Sequence, residues 1–311
     1  MSGPVTRDGD DALAVTDVPE PPGVEVTESR TADVGGTTVR RALPRRGRRT
    51  VGAWCFADHM GPADVEERRG LGVGAHPHNG LQTVTWLVDG QVLHRDSLGS
   101  EQVIAPGQLN LMTAGRGVSH SEEGTGHYRG TVEGVQLWIA QPDATREGDP
   151  AFEHHASLPV LELDRGAATV LVGSLGGTES PARRDSPLVG ADLDLGDGTS
   201  ALPLQPGWEH ALVVVRGAVG VDGRLVEPGS LAYLGAGRDE LVLDAAEPSR
   251  VLLLGGEPLT EPVVMWWNFV GRSREELGAA YDSWSAQDDR FGRVASALPR
   301  IPAPPPYWSR P

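Results

Sequence analysis

The sequence predicts an all-β protein: two tandem jelly-roll β-barrels followed by a short C-terminal helix. Three observations predict it. Gly (41) and Pro (25) are abundant in a chain of 311 residues. Short β-type runs alternate with turn signals along most of its length. One block of those runs recurs in the second half. A hydrophobic fraction of 39% suffices for packed cores, and the length fits two domains better than one.

Residues 1–32 read as a flexible acidic tail. The first barrel is expected over 33–141, with strand-like runs at Thr37–Leu43, Thr50–Ala57, Leu81–Val88, Val92–Asp96, Leu109–Thr113 and Val132–Ala140. Asp89-Gly90 marks a hairpin and Pro106-Gly107 a second turn. The stretch 142–165 opens on a polar segment and reads as a linker, with one strand-like run at Val160–Leu163. The second barrel is expected over 166–270, with runs at Ala168–Val172, Ala211–Val215, Ser230–Leu234, Glu240–Leu243 and Val251–Leu254. Residues 271–311 hold a helix and a Pro-rich tail. Ser273 caps the helix and Glu275-Glu276 complement its positive end, which predicts Arg274–Trp284 as helical.

The second half echoes the first. Pro106-Gly-Gln-Leu-Asn-Leu-Met-Thr-Ala-Gly115 aligns with Pro228-Gly-Ser-Leu-Ala-Tyr-Leu-Gly-Ala-Gly237, and Leu87–Val92 with Val214–Val219. This reads as duplication of one β-domain.

Two short constellations carry chemistry: His76-Pro77-His78 and His120-Ser121-Glu122. Spacing of i, i+2 on a strand puts both side chains on one face, about 7 Å apart. Two such strands facing each other in a barrel offer three imidazoles and one carboxylate to a single ion. That set suits Fe, Ni, Cu, Mn, Co or Zn without choosing among them. An octahedral ion would keep two positions open, which favours a catalytic or sensing site over a closed structural zinc. The competing reading, polar strand residues facing solvent, needs four coincidences. In the second copy the aligned positions are Pro203, Gln205, Val242 and Asp244, so one metal site is expected, in the first barrel.

Other features narrow the function. A formal net charge of −16 repels nucleic acid and anionic lipid. The absence of lysine excludes Schiff-base chemistry. The basic stretch Arg40–Arg49 reads as solvated hairpin surface, with an anion-binding patch as the alternative. Cys55, the single cysteine, sits in an apolar run and reads as an inert buried thiol. No signal peptide and no apolar run of about 18 residues is present, so a cytoplasmic monomer is expected. His59 suits a turn or a pocket mouth. His94, in His94-Arg95-Asp96, suits a cross-strand polar pair or a group behind the ligands. His127, His154 and His155 read as loop residues and Arg116 as a salt-bridge partner. Phe56, Trp86 and Trp138 suit core packing or the walls of a pocket for a flat ligand.

These residues resemble the pirin family of the cupin superfamily. The resemblance lies in His76–Thr85, His94–Ser97, Met112–Glu122, Gln136–Trp138 and Gly255–Leu259. It covers about residues 33–285 and is densest in the first barrel. It implies a bicupin with one non-haem metal, usually iron as Fe(II), held by His76, His78, His120 and Glu122, with Glu122 also placed for acid–base work. Gln82 departs from the glutamate found in many cupins. Trp266–Val270 departs from the family's usual Gly-Pro-Phe stretch. The resemblance implies either an oxygenase of the quercetin 2,3-dioxygenase type, acting on a small flavonol-like aromatic, or a metal- and redox-dependent regulator that binds a transcription factor or metabolic enzyme.

Overall fold

The computed structural model describes residues 23–65 and 72–309. Among the described residues the chain is built from β-strands with one α-helix, as two β-barrel domains in tandem. The first barrel sets a seven-stranded sheet against a four-stranded one. The large sheet runs in the order Ala151–His155, Leu109–Thr113, Leu81–Asp89, Gly130–Ala140, Trp54–Val65, Thr37–Leu43, Arg30–Val34. The small sheet runs Val73–His78, Val118–Glu123, Val92–Asp96, Glu101–Ile104. The second barrel repeats this plan with an eight-stranded sheet facing the four strands Gly198–Pro203, Glu240–Ala245, Val219–Val221 and Arg224–Val226.

The two large sheets pack against each other, and strand alternation sorts their residues. On Gly130–Ala140, Val135, Leu137 and Ile139 point to the second barrel, while Gln136 and Trp138 point into the first. On Glu209–Arg216, Ala211, Val213 and Val215 face the first barrel, and Leu212 and Val214 fill the second. With both faces buried, these strands read as continuous apolar runs. Two tryptophans pin the joint. The Trp54 Nε1–H donates to the carbonyls of Val189 and Gly255 at 3.0 and 3.2 Å. The Trp86 Nε1–H donates to Asp192 at 2.9 Å, and Arg250 grips the same carboxylate.

Several expectations are corrected. Of the proposed tail over 1–32, residues 1–22 lie outside the described residues. Glu25–Glu28 is instead a strand on the edge of the second barrel, paired with Ser230–Gly235, and Arg30–Val34 begins the first. The stretch 142–165 carries two strands: Ala151–His155 extends the first barrel's large sheet and Val160–Leu163 the second's. His154 and His155 are therefore strand residues, bonded to Asn110 and Glu153. The run Thr50–Ala57 is displaced to Trp54–Val65.

The helix forms at Arg274–Ala286, with Ser273 accepting from the Glu276 amide at 3.3 Å. Just before it, Val264–Trp266 and Phe269–Gly271 form a tight hairpin whose turn is Trp267-Asn268, with Trp267 in the left-handed region at φ 54°. An isolated bridge ties Phe269 to Asn79, and the Asn79 side chain donates to the Val270 carbonyl at 2.9 Å. Further on, the Ile301 amide donates to the Ala75 carbonyl at 2.9 Å. The C-terminal segment thus closes over the first barrel. Among the described residues, no helix is long and apolar enough to cross a membrane.

Candidate metal centre

The small sheet of the first barrel aligns the site. Antiparallel register places His120 opposite His76 on one side and opposite Asp96 on the other, and Glu122 opposite His94. A bulge between His120 and Glu122 shifts the pairing with Val73–His78. His76, His78 and His120 are buried, and one nitrogen from each lies within 4.8 Å of the other two. His78 Nε2 and His120 Nε2 are 3.1 Å apart.

Hydrogen bonds determine what these nitrogens present. His76 Nδ1 lies 2.9 Å from the Gly74 carbonyl and His78 Nδ1 lies 3.1 Å from the Asn268 carbonyl. A carbonyl only accepts, so each ring carries its proton on Nδ1 and leaves the Nε2 lone pair free. Burial lowers the His76 pKa to about 4 and pulls His78 and His120 well below the usual histidine value. All three are neutral near pH 7, the form that binds metal.

His76 and His78 therefore turn bare Nε2 lone pairs into a cluster with His120 that a cation can join. An ion bonded at about 2.1 Å separates adjacent nitrogens by about 3.0 Å in octahedral and about 3.4 Å in tetrahedral geometry. The observed 3.1 Å between His78 and His120 falls in that interval. The donor chemistry and spacing fit a divalent transition metal.

Glu122 is placed differently from the three histidines. Its carboxyl lines the same cavity, 3.4 Å from the Thr85 hydroxyl, which also lies 3.0 Å from Gln136 Oε1. It does not join the three-histidine group. Burial raises its pKa above the usual carboxyl value.

The histidines open onto a cavity of about 390 Å³. One wall is the stacked pair Phe56 and Trp138, with centroids 4.0 Å apart and planes 13° from parallel. Asp58, nearby, is gripped by both ends of the Arg41 fork at 2.8 and 2.7 Å, and Arg41 also lies over Phe56 at 4.6 Å. The cavity is completed by Val39, Met60, Trp267 and Ile301 among others. Trp86 has the opposite parity on its strand and lies in the joint between barrels.

Several sequence readings shift here. Arg41 of the basic stretch belongs to the cavity, and its neighbour Arg40 bonds His59 and the Gly61 carbonyl. His59 is a buried strand residue held by Glu133 at 3.0 Å, with no place in the cavity lining. Gln82 donates to Thr113 at 3.0 Å, also outside that lining. Burial raises the Cys55 thiol to about 12, consistent with an inert core residue. His94 lies behind His120, with its Nδ1 3.4 Å from His120 Nδ1, and its Nε2 is 3.2 Å from Asp96 Oδ2. Burial works against the Asp96 carboxylate, but hydrogen bonds from His94 and Ser100 outweigh it and hold its pKa below the usual value. The signal for this pair was His94-Arg95-Asp96, a second i, i+2 pair resembling any polar strand.

Fold and site together define a double-barrel cupin protein with a three-histidine metal site in its first barrel. Residues 36–139 match the Pirin family and residues 190–292 match the Pirin C-terminal cupin domain. The chain belongs to the pirin family. It is 49% identical over 283 residues to a Pseudomonas aeruginosa protein whose name marks it as a candidate quercetin 2,3-dioxygenase, covering 90% of each chain. A Pirin-like protein of Caulobacter vibrioides is 40% identical over 269 residues, which span 84% of this chain and 92% of that one. Among solved structures, a quercetin 2,3-dioxygenase from Acinetobacter baumannii superposes with a TM-score of 0.88 at 43% identity, covering 90% of this chain and 95% of that one.

Proposed function

We propose that this chain is a pirin-type oxygenase that uses one mononuclear non-haem iron to cleave a flavonol-like aromatic substrate with dioxygen. The observation that carries the reading is the set of three neutral imidazoles opening onto a cavity walled by a stacked aromatic pair. The cavity falls within the range that holds small-molecule ligands. The names of the similar bacterial proteins support the same substrate class.

In this reading His76, His78 and His120 hold the ion and Glu122 is its fourth ligand. The bound metal supplies Lewis acidity toward a substrate oxygen and the means to engage dioxygen. The protein's own groups do the rest. Phe56 and Trp138 offer a flat apolar face to the substrate rings. Glu122, once released from the ion, would take the proton of the substrate hydroxyl, burial then raising its basicity. Thr85, whose one hydroxyl hydrogen reaches either Gln136 Oε1 at 3.0 Å or Glu122 Oε1 at 3.4 Å, can turn to that carboxylate and hold it in line. The Arg41–Asp58 pair presents polar atoms to hydroxyls at the substrate's far end, and Val39 and Met60 keep water away.

The test is anaerobic titration of iron-loaded protein with quercetin, followed by admission of oxygen. Optical change on binding, then oxygen uptake matched by carbon monoxide release, is expected. Protein carrying one iron per chain that does neither would overturn the oxygenase reading and return the family's regulator role to the front.

A further inference from the structure

We propose that Asp96 and His94 form a positioning pair that compels His120 to turn its Nε2 lone pair toward the metal, and so prevents the metal-free site from satisfying its own hydrogen bonds. The proposal rests on the metal reading above and adds the means by which the chain keeps that site ready.

The argument starts at the turn after Val92–Asp96. Asp96 Oδ1 accepts the backbone amides of Leu98 and Ser100, both at 2.9 Å. That pins the carboxylate and leaves Oδ2 for His94, 3.2 Å from its Nε2. A carboxylate accepts only, so His94 carries a proton on Nε2. Phe152 stacks on the His94 ring at 4.4 Å and 14°, which fixes the ring plane. In the neutral ring, His94 Nδ1 is then an acceptor. It faces His120 Nδ1 at 3.4 Å, so His120 places its own proton there and its Nε2 is bare.

The consequence lies on the other side of His120. Its bare Nε2 meets the bare Nε2 of His78 at 3.1 Å, and His78 is committed to Nδ1–H by the Asn268 carbonyl. Had His120 carried its proton on Nε2, it would donate across that same gap and the two rings would satisfy each other. Asp96 and His94 forbid that tautomer. Asp96 and His94 are 3% and 4% exposed, so water does not compete with His120 for the His94 nitrogen behind the ligand. The site is left with lone pairs that the rings cannot satisfy among themselves and that a cation fills. Groups behind a ligand that set its tautomer are a general means of tuning metal affinity.

Asp96→Asn tests this directly. Asparagine keeps Oδ1 for the two backbone amides but replaces Oδ2 with an N–H donor. The chain of hydrogen bonds then reverses: His94 accepts on Nε2, donates from Nδ1, and His120 moves its proton to Nε2. Nitrogen NMR of the metal-free protein should show His120 as Nδ1–H in the wild type and Nε2–H in the variant. Zinc(II) affinity, read by competition with a chelating dye, should fall about 10- to 100-fold, while the metal-free variant is at least as stable to urea as the wild type. A purely structural role for the turn would instead lower stability without moving the tautomer. In a His94→Phe background, which keeps an aromatic ring against Phe152, Asp96→Asn should change zinc affinity no further. His94→Phe alone, with the Asp96 turn intact, should lower it by a similar factor, which covers the case of an Asp96→Asn chain that does not fold. A wild-type chain that takes up no zinc would end the metal reading itself. A zinc-binding wild type whose Asp96→Asn and His94→Phe variants bind equally well would overturn the positioning role alone.

Discussion

Removing His120 should separate what the metal contributes from what the side chain contributes. With the tautomer proposed above, His120 in the metal-free chain donates to His94 but opposes His78 across 3.1 Å. Truncation to alanine therefore loses buried volume and one hydrogen bond while relieving an unfavourable contact. In the loaded chain it removes one of three clustered nitrogen donors. A ligand present at a hundred times its dissociation constant stabilises the folded state by about 2.7 kcal/mol. If affinity drops a hundred-fold, the same metal concentration gives only about 0.4 kcal/mol. His120→Ala should thus lose about 2 kcal/mol of metal-dependent stability beyond its metal-free change. Urea unfolding of wild type and variant, each with chelator and with saturating metal, measures the four corners of that cycle. Elemental analysis should give about one metal per wild-type chain and little in the variant. A variant that keeps both its metal content and its metal-induced shift would refute the assignment of His120.

Arg41→Met should destabilise the fold by about 3 kcal/mol, because Asp58, at 3% exposure, loses both ends of its guanidinium partner; urea midpoints check this, and Arg41→Met with Asp58→Leu should recover most of the loss. Trp54→Phe leaves the Val189 and Gly255 carbonyls without their shared donor and should cost about 2 kcal/mol or more, seen as an earlier unfolding transition. Burial lowers His210 from 6.5 to about 4. Its native pKa is below the unfolded one, so the stability it confers is complete above pH 6.5 and fades as pH falls toward 4, by about 3 kcal/mol in all. Comparing the pH dependence of unfolding for wild type and His210→Leu tests this; parallel curves between pH 4 and 6.5 would contradict it.

The two His-bearing pairs were legible because period-two spacing is a local property that survives without knowledge of partners. The barrel strands were legible where apolar runs were pure, as at Leu109–Thr113 and Val251–Leu254. They were obscured where buried polar groups interrupt the pattern, as at Leu188–Leu195, whose Asp192 is bound by Trp86 and Arg250 from other strands. What spacing could not supply were contacts made over long separations. Asn268 reaches His78 from the far end of the chain, and Arg41 leaves an arginine-rich stretch to meet Asp58 inside a cavity. Phe152 reaches His94 from a segment that reads as a linker. The difference between Trp138 in the cavity and Trp86 in the joint is a matter of strand parity, visible only once register is known.

The strand Glu25–Glu28 closes the edge of the second barrel before the chain has built the first, and the Trp267-Asn268 turn leaves the second barrel to lean on the first. Each lobe is therefore finished by a piece of chain from beyond its own boundaries. A gene fragment cut between the lobes would yield one half with a bare sheet edge and another with an unsupported His78, and neither should persist alone. This lacing means that the lobes unfold as one unit, and that swapping one between relatives requires carrying its distant strap along.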